Sequence, residues 1–183
     1  VSKIWGIRTF HLAELNFNDK YPFVYQFAAR RNVDQALTTR ANLLSNFNRK
    51  IVNKYKAGMG LRYLDEYIGN DIIPTQIKKY YSNNLLKLSH SNQFKSFVIN
   101  STNKDLSWFF GDYIQSKKKI DYTIKKIKVK PDSIEVIIKN KRNITVPVTL
   151  YGISNDKIIF KKWITNIDSI TSITIPNNKT DYV

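Results

Sequence analysis

The sequence contains no cysteine, which excludes disulfides, thiolate metal sites and cysteine nucleophiles. It has only 2 histidines among its 183 residues, so side chains that commonly bind metal are scarce. No run approaches the roughly eighteen apolar residues that a membrane span requires, and the first residues do not resemble a secretory signal peptide. We therefore predict no membrane span, whereas the missing cysteines leave the cellular compartment open.

Acidic residues are also few, and the 30 lysines and arginines give a formal net charge of +16. A charge of this size suggests nucleic acid or another polyanion as a partner. However, residues 1–116 hold 16 basic and 8 acidic residues, and residues 117–183 hold 14 and 6, so the charge is spread evenly. Lysine, isoleucine and asparagine share A/T-rich codons, and genome composition explains their abundance. We predict no specific nucleic-acid partner, but a basic binding module for nucleic acid or polyanions stays open as an alternative function.

The apolar residues divide the chain into two parts by their spacing. Hydrophobic residues make up 42% of the sequence, which is enough to build a core. Before about residue 117 they recur at three- and four-residue intervals, and after it they alternate. The pattern predicts an α+β fold in which residues 1–116 are mainly helical and residues 117–183 form a small antiparallel β-sandwich.

Residues 53–68 are predicted as the clearest helix. Its apolar stripe recurs at four-residue intervals: Tyr55, Met59, Tyr63 and Tyr67. Gly58 and Gly60 are unexpected inside it, because each costs about 1 kcal/mol relative to alanine. Such a cost suggests that something packs very close to the helix backbone at both positions. Gly69 supplies a suitable end.

The other helices are predicted from shorter signals. We interpret residues 17–22 as a turn, residues 23–31 as helical and residues 34–47 as an irregular connection. Pro74 suits the first turn of a helix reaching to about Leu88, and Ser91 can cap the next one. Residues 102–105 resemble a capping box before a helix over residues 106–114.

Beyond residue 121 the alternating pattern predicts five strands, with a sixth beginning at Asp181. The phase of the first strand slips at Lys125 and Lys126, as at a β-bulge. Pro147 indicates that its strand lies at an edge or begins late. The lysine-rich stretches are predicted to form a solvated face of the sheet: Lys117, Lys118, Lys119, Lys125, Lys126, Lys128 and Lys130.

Candidate catalytic residues are few when the chain is considered residue by residue. His11 and His90 are far apart and fit no metal-binding spacing, so neither is predicted as a ligand. We favour solvated or ion-paired roles over anion binding for four arginines: Arg30, Arg31, Arg40 and Arg49. Trp108, Phe109 and Phe110 are predicted as core residues.

Four segments in order resemble the H-E-x-x-H zinc aminopeptidases, the gluzincin family of aminopeptidase N. Residues 46–58 (NFNRKIVNKYKAG) are similar to the family segment with a Tyr-x-Lys-Gly motif, and residues 61–69 (LRYLDEYIG) are similar to the family's helix ending in Leu-Gly. Residues 77–80 (IKKY) resemble its next helix, and residues 105–113 (DLSWFFGDY) its Asp-Leu-x-x-Phe-Phe-x-x-Trp signature. Ala57 replaces the motif lysine and Tyr113 the signature tryptophan. The pattern is closest to large bacterial members, which favours an extracytoplasmic location.

The resemblance implies a function and a division of the chain. It implies that residues 1–116 are the helical C-terminal part of a metallopeptidase catalytic domain, and that residues 117–183 are an Ig-like β-sandwich truncated at its C-terminal end. Zn²⁺ would be bound in the intact parent upstream of residue 1, with no cofactor in this chain. Tyr55 would stabilise the oxyanion formed when a peptide substrate is hydrolysed.

Three further expectations follow from the resemblance. Both ends of the sequence look cut, so the missing N-terminal part of the same polypeptide would be a partner of this chain. The chain alone is predicted to be inactive, because it lacks the zinc ligands. A noncatalytic scaffold relative that has lost its zinc site remains an alternative.

Overall fold

A computed structural model describes residues 17–69, 71–88 and 90–177. The N-terminal part consists of helices and short helical turns: α1 (Phe17–Arg30), a 3₁₀ turn (Ala41–Leu43), a π-helical turn (Asn48–Val52), α2 (Asn53–Ile68), α3 (Ile72–Asn83), α4 (Ser91–Ile99) and a second π-helical turn (Phe109–Tyr113). Five strands follow: β1 (Tyr122–Val129), β2 (Ser133–Asn140), β3 (Val148–Ser154), β4 (Lys157–Ile164) and β5 (Ile170–Pro176). This order confirms the predicted α+β fold in two parts.

Helix α2 occupies the predicted residues, and a π-helical turn leads directly into it. It ends at Gly69, whose φ of 143° is accessible to glycine but rarely to other residues. The Asp65 carboxylate then accepts hydrogen bonds from the backbone N–H groups of Asp71 and Ile73, at 3.1 and 2.8 Å. One side chain therefore joins the end of α2 to the start of α3.

Several predicted details of the helices are wrong. Residues 17–22 are the first turns of α1 rather than a turn, even though Pro22 lies inside the helix and cannot donate a backbone hydrogen bond there. Helix α3 ends at Asn83 rather than near Leu88. The N-cap of α4 is His90 instead of Ser91, and the His90 backbone N–H donates to Oε1 of Gln93 at 2.9 Å.

The strands form two antiparallel sheets, one with the order β1-β2-β5 and one containing β3 and β4. The register of β1 against β2 shifts between Ile124 and Lys126, which confirms the predicted bulge. Strand β3 begins at Val148, directly after Pro147, as expected for a strand that begins late. The predicted sixth strand at Asp181 lies outside the described residues.

The inner faces of the two sheets enclose one apolar cluster. Its buried members come from both sheets and the loop before β5: Ile134, Val136, Ile138, Leu150, Ile164, Ile167 and Ile175. Asn140 secures the end of β2, because its Nδ2 donates to the carbonyls of Ile144 and Ile167 at 2.9 and 3.0 Å. Two sheets facing across an apolar layer form the β-sandwich that the alternating pattern predicts.

A second cluster joins the helical part to the sandwich. It combines helical residues, including the predicted core residues Trp108, Phe109 and Phe110, with Ile144 and Val146 from the segment before β3. The Tyr63 ring meets the Trp163 ring of β4 edge to face, with centroids 5.6 Å apart. The position of α2 is therefore fixed by contacts with both halves of the chain.

Candidate functional site

Helix α2 has one buried side and one open side. The buried side carries Lys56, Gly60 and Leu64, which follow one another at four-residue intervals. The open side carries Tyr55 and Met59, which are only half-buried. The aromatic stripe predicted from sequence periodicity is therefore divided along α2. Tyr67 is buried and Tyr63 packs against the core, whereas the stripe residues nearer the start of the helix are only half-buried.

The entry to α2 is held by Asn48, which is 1% exposed. Its Nδ2 donates to the Val33 carbonyl and to Oγ of Ser45, both at 2.7 Å, and its Oδ1 accepts from the Gln35 backbone N–H at 3.1 Å. These bonds tie the chain before α2 to the loop after α1. They fix the position from which Tyr55 projects.

Lys56, the residue after Tyr55, is buried with 1% of its surface exposed. Its ammonium donates to the Ser116 carbonyl at 2.7 Å. Burial lowers the Lys56 pKa from 10.5 to about 8; the nearby Asp34 carboxylate opposes this shift and the Lys119 charge adds to it. Lys119 forms an ion pair with buried Asp34, so it does not belong to the predicted solvated lysine face, whereas the lysines of β1 are exposed.

Tyr113 packs against the buried side of α2. Its hydroxyl donates to the Lys56 carbonyl at 2.8 Å, and burial raises the Tyr113 pKa above its ordinary value. A β-carbon added at Gly60 would overlap the Tyr113 ring and lie 2.9 Å from its Cζ. The predicted close approach is therefore confirmed at Gly60.

A cleft of about 570 Å³ runs along the open side of α2. Among the residues that the structure describes, those lining the cleft belong to α2 except for one in α1: Lys54, Tyr55, Gly58, Met59, Arg62, Tyr63, Glu66 and Pro22. A β-carbon added at Gly58 would have no neighbour within 4 Å among the described residues. The close packing predicted at Gly58 is therefore wrong, and this glycine instead widens the cleft beside Tyr55.

The charged residues of this cleft lie on α2. Arg62 and Glu66 form an i,i+4 ion pair in which Nε and Oε1 are 3.8 Å apart, and the Arg62 side chain is 71% exposed. Lys54 adds a second exposed cation at the N-terminal end of the helix. The cleft thus combines aromatic and thioether surfaces with a positively charged margin.

A second cleft, of about 680 Å³, lies between the second π-helical turn and the sandwich. Its carboxylates already have partners. Asp105 accepts from the Ser107 backbone N–H at 2.8 Å, and Asp112 pairs with Lys118 at 2.8 Å. Tyr55 does not line this cleft, so the open side of α2 is the better candidate for chemistry.

The other sequence candidates do not join Tyr55. His11 lies outside the described residues, and His90 is exposed at the start of α4. All four candidate arginines are exposed: Arg30, Arg31, Arg40 and Arg49. Arg31 lies over the Phe27 ring, 5.4 Å from its centroid, and Arg49 donates to the Ala41 carbonyl. Neither cleft includes any of them.

Neither Lys56 nor Arg62 is singled out by the sequence patterns described above. A signal for Lys56 was present, since it is four residues before Gly60 and eight before Leu64. Lysine is rarely buried, so this four-residue spacing does not by itself predict that Lys56 faces the core. Arg62 has no distinguishing signal until the cleft is seen.

No protein family matches the chain by sequence, and no curated protein matches it either. Among solved structures, the chain is similar to Legionella pneumophila aminopeptidase A, crystallised in complex with aspartic acid. The TM-score is 0.56 and the identity 19%, and the match covers 72% of this chain and 16% of that chain. The chain therefore shares the fold of a segment of that aminopeptidase and spans only a small fraction of its length.

Proposed function

We propose that this chain is part of a zinc-dependent aminopeptidase-like metallopeptidase, in which Tyr55 stabilises the transition-state oxyanion. One observation carries the proposal: Tyr55 lines an open cleft, whereas its position in an aromatic stripe would equally have suited a core residue. A phenol in a cleft can reach a substrate. The shared fold with a segment of an aminopeptidase supports the same assignment.

The chemistry of a phenol suits this role. Tyrosine is neutral at physiological pH and donates one O–H hydrogen bond without a change of protonation. A donor aimed at an oxyanion contributes about 10²–10³ in rate. The substrate class that we propose is a peptide with a free amino terminus, cleaved at its first peptide bond.

Zinc does not fit the residues present here. Across residues 17–69, 71–88 and 90–177, no group of three or more His, Cys, Asp or Glu side chains could hold a metal ion. We propose that the ligands belong to the parent polypeptide upstream of residue 1. The same described residues contain no helix long and apolar enough to cross a membrane.

The test is Tyr55→Phe in the intact parent, assayed with an aminoacyl anilide. We expect kcat to fall by at least about ten-fold with unchanged zinc content, because only the hydroxyl donor is lost. Tyr81→Phe is the matched control, since Tyr81 is 66% exposed on α3 and lines neither cleft. A near-normal kcat in Tyr55→Phe would remove Tyr55 from the mechanism.

A second assay tests where the zinc ligands lie. This chain alone, supplied with zinc, should not hydrolyse the anilide above background. Turnover would contradict the proposed location of the ligands. A parent that binds no zinc and cleaves nothing would instead support the noncatalytic scaffold.

A further inference from the structure

We infer that the cleft along α2 selects short peptides by length and that Arg62 binds their C-terminal carboxylate. This inference rests on the proposed function, because it places the scissile carbonyl at Tyr55. It adds a direction for the substrate, with the leaving portion of the peptide extending along α2 from Tyr55 towards Arg62.

The first support is the spacing of the two residues on one helix. Tyr55 and Arg62 are one heptad apart within α2, and both line the cleft. A heptad brings a helical side chain back to the same side within about 20°. At 1.5 Å per residue, the two positions are about 10 Å apart along the helix axis.

The second support is the space between them. Gly58 lies between Tyr55 and Arg62, and no atom in the described part of the chain lies within 4 Å of the position that a β-carbon would occupy there. Met59 supplies a flexible apolar wall next to it. Gly58 therefore leaves room for the middle of an extended peptide that is bound along α2.

The third support is the state of Arg62. Its side chain is 71% exposed and its contact with Glu66 is long, at 3.8 Å. Exposed ion pairs of this kind contribute little to stability, so a substrate carboxylate can replace Glu66 at small cost. Guanidinium groups bind carboxylates through two parallel hydrogen bonds. Because Glu66 contacts Arg62, its carboxylate moves aside when the substrate carboxylate binds.

The distance sets the peptide length. An extended chain spans about 3.3–3.6 Å per residue, so about 10 Å corresponds to three residues beyond the cleaved bond. The best substrate is therefore a peptide of about four residues with a free carboxylate. Longer peptides and C-terminal amides lose the interaction with Arg62.

The test compares tetra-alanine with tetra-alanine amide on the zinc-loaded parent, together with alanine peptides of two to six residues. We expect kcat/KM to be about ten-fold higher for the acid, mainly through a lower KM, and to be highest near four residues. Arg62→Met should lower kcat/KM for the acid about ten-fold, and Arg62→Lys should restore part of it.

Two further variants separate recognition from folding. Arg142→Met is the matched control, because Arg142 is also an exposed arginine with a long contact, 3.5 Å from Asp121, and lines neither cleft. It should leave the acid-to-amide ratio unchanged. Gly58→Leu projects a larger side chain into the gap, where its β-carbon meets no described atom within 4 Å, and should lower kcat/KM more for tetra-alanine than for an aminoacyl anilide.

The outcomes distinguish this inference from the proposed function. The parent could cleave the anilide and show equal kcat/KM for tetra-alanine and its amide. That result would overturn the role of Arg62 and leave the peptidase assignment intact. The same holds if Arg62→Met and Arg142→Met behave alike. A zinc-loaded parent that cleaves neither anilide nor peptide overturns both.

Discussion

Gly58 and Gly60 are two residues apart in α2, yet they face opposite surroundings. Gly60 lies against the Tyr113 ring, where a β-carbon would overlap aromatic atoms. Gly58 faces a cleft, where a β-carbon would meet no atom of the residues that the structure describes within 4 Å. The same residue type, with the same cost to the helix, permits close packing at one position and leaves space for a ligand at the other.

The comparison extends to the residues beside them. On the side of Gly60, Lys56 and Tyr113 have specific hydrogen-bonding partners and shifted pKa values. On the side of Gly58, Tyr55 and Arg62 line the cleft, and Arg62 has a long ion-pair contact with Glu66. The buried side thus fixes the helix, and the open side is the surface on which we propose that Tyr55 acts.

The largest expected difference between the buried and open sides of α2 is a dependence of the free energy of unfolding on pH, which arises on the buried side. The pKa of Lys56 is about 8 in the folded chain and 10.5 when unfolded, so between these values the unfolded state binds more protons. The free energy of unfolding should therefore rise from pH 8 to pH 10, by about 2–3 kcal/mol. Urea unfolding at pH 7, 8, 9 and 10 measures the rise.

Lys56→Met is the control for this prediction, because it removes the buried ammonium. The rise between pH 8 and 10 should disappear in the variant. Above pH 10 both proteins should lose stability, since burial raises the pKa of Tyr25 to about 12 and raises those of Tyr63 and Tyr113 as well. An equal rise in wild type and variant would mean that Lys56 is not its source.

Gly60→Ala should produce the next largest effect. The added methyl group overlaps the Tyr113 ring, and such overpacking typically costs 1–3 kcal/mol, partly offset by alanine's better helix propensity. We expect the free energy of unfolding to fall by about 1–2 kcal/mol in urea titration. In a Tyr113→Ala background the same substitution should become stabilising, and an unchanged loss there would show that the ring is not the cause.

Much of the fold was predictable because it depends on local patterns. The bounds of α2 follow from residues 53–68 and Gly69, and the bulge in β1 follows from the slipped alternation at Lys125 and Lys126. The late start of β3 follows from Pro147, which cannot donate a hydrogen bond to a neighbouring strand. Each of these features is set by residues next to one another in sequence.

The remaining features depend on distant contacts. Lys56 is buried because Ser116, sixty residues later, supplies a carbonyl for its ammonium. The different roles of Gly58 and Gly60 depend on where Tyr113 lies. Tyr55 was identified through resemblance to a family motif, whereas its position in an open cleft required the fold. Sequence periodicity alone would have assigned it to the core.

Tyr113→Phe should have a smaller effect on the buried side. It keeps the ring against Gly60 and removes only the hydrogen bond to the Lys56 carbonyl. A hydrogen bond of this kind contributes about 1 kcal/mol, so the free energy of unfolding should fall by about that amount. Tyr81→Phe, at an exposed position, should change it very little.

Gly58→Ala should produce the smallest effect, and one of opposite sign. The methyl group enters open space, so only the helix propensity of alanine acts, and we expect a gain of about 0.5–1 kcal/mol in the free energy of unfolding. Gly58→Ala and Gly60→Ala make the same chemical change in the same helix. Comparing their free energies of unfolding therefore isolates the effect of the surroundings. If both substitutions destabilise to the same extent, the cleft is closed in solution, and Tyr55 then faces packed side chains instead of a substrate.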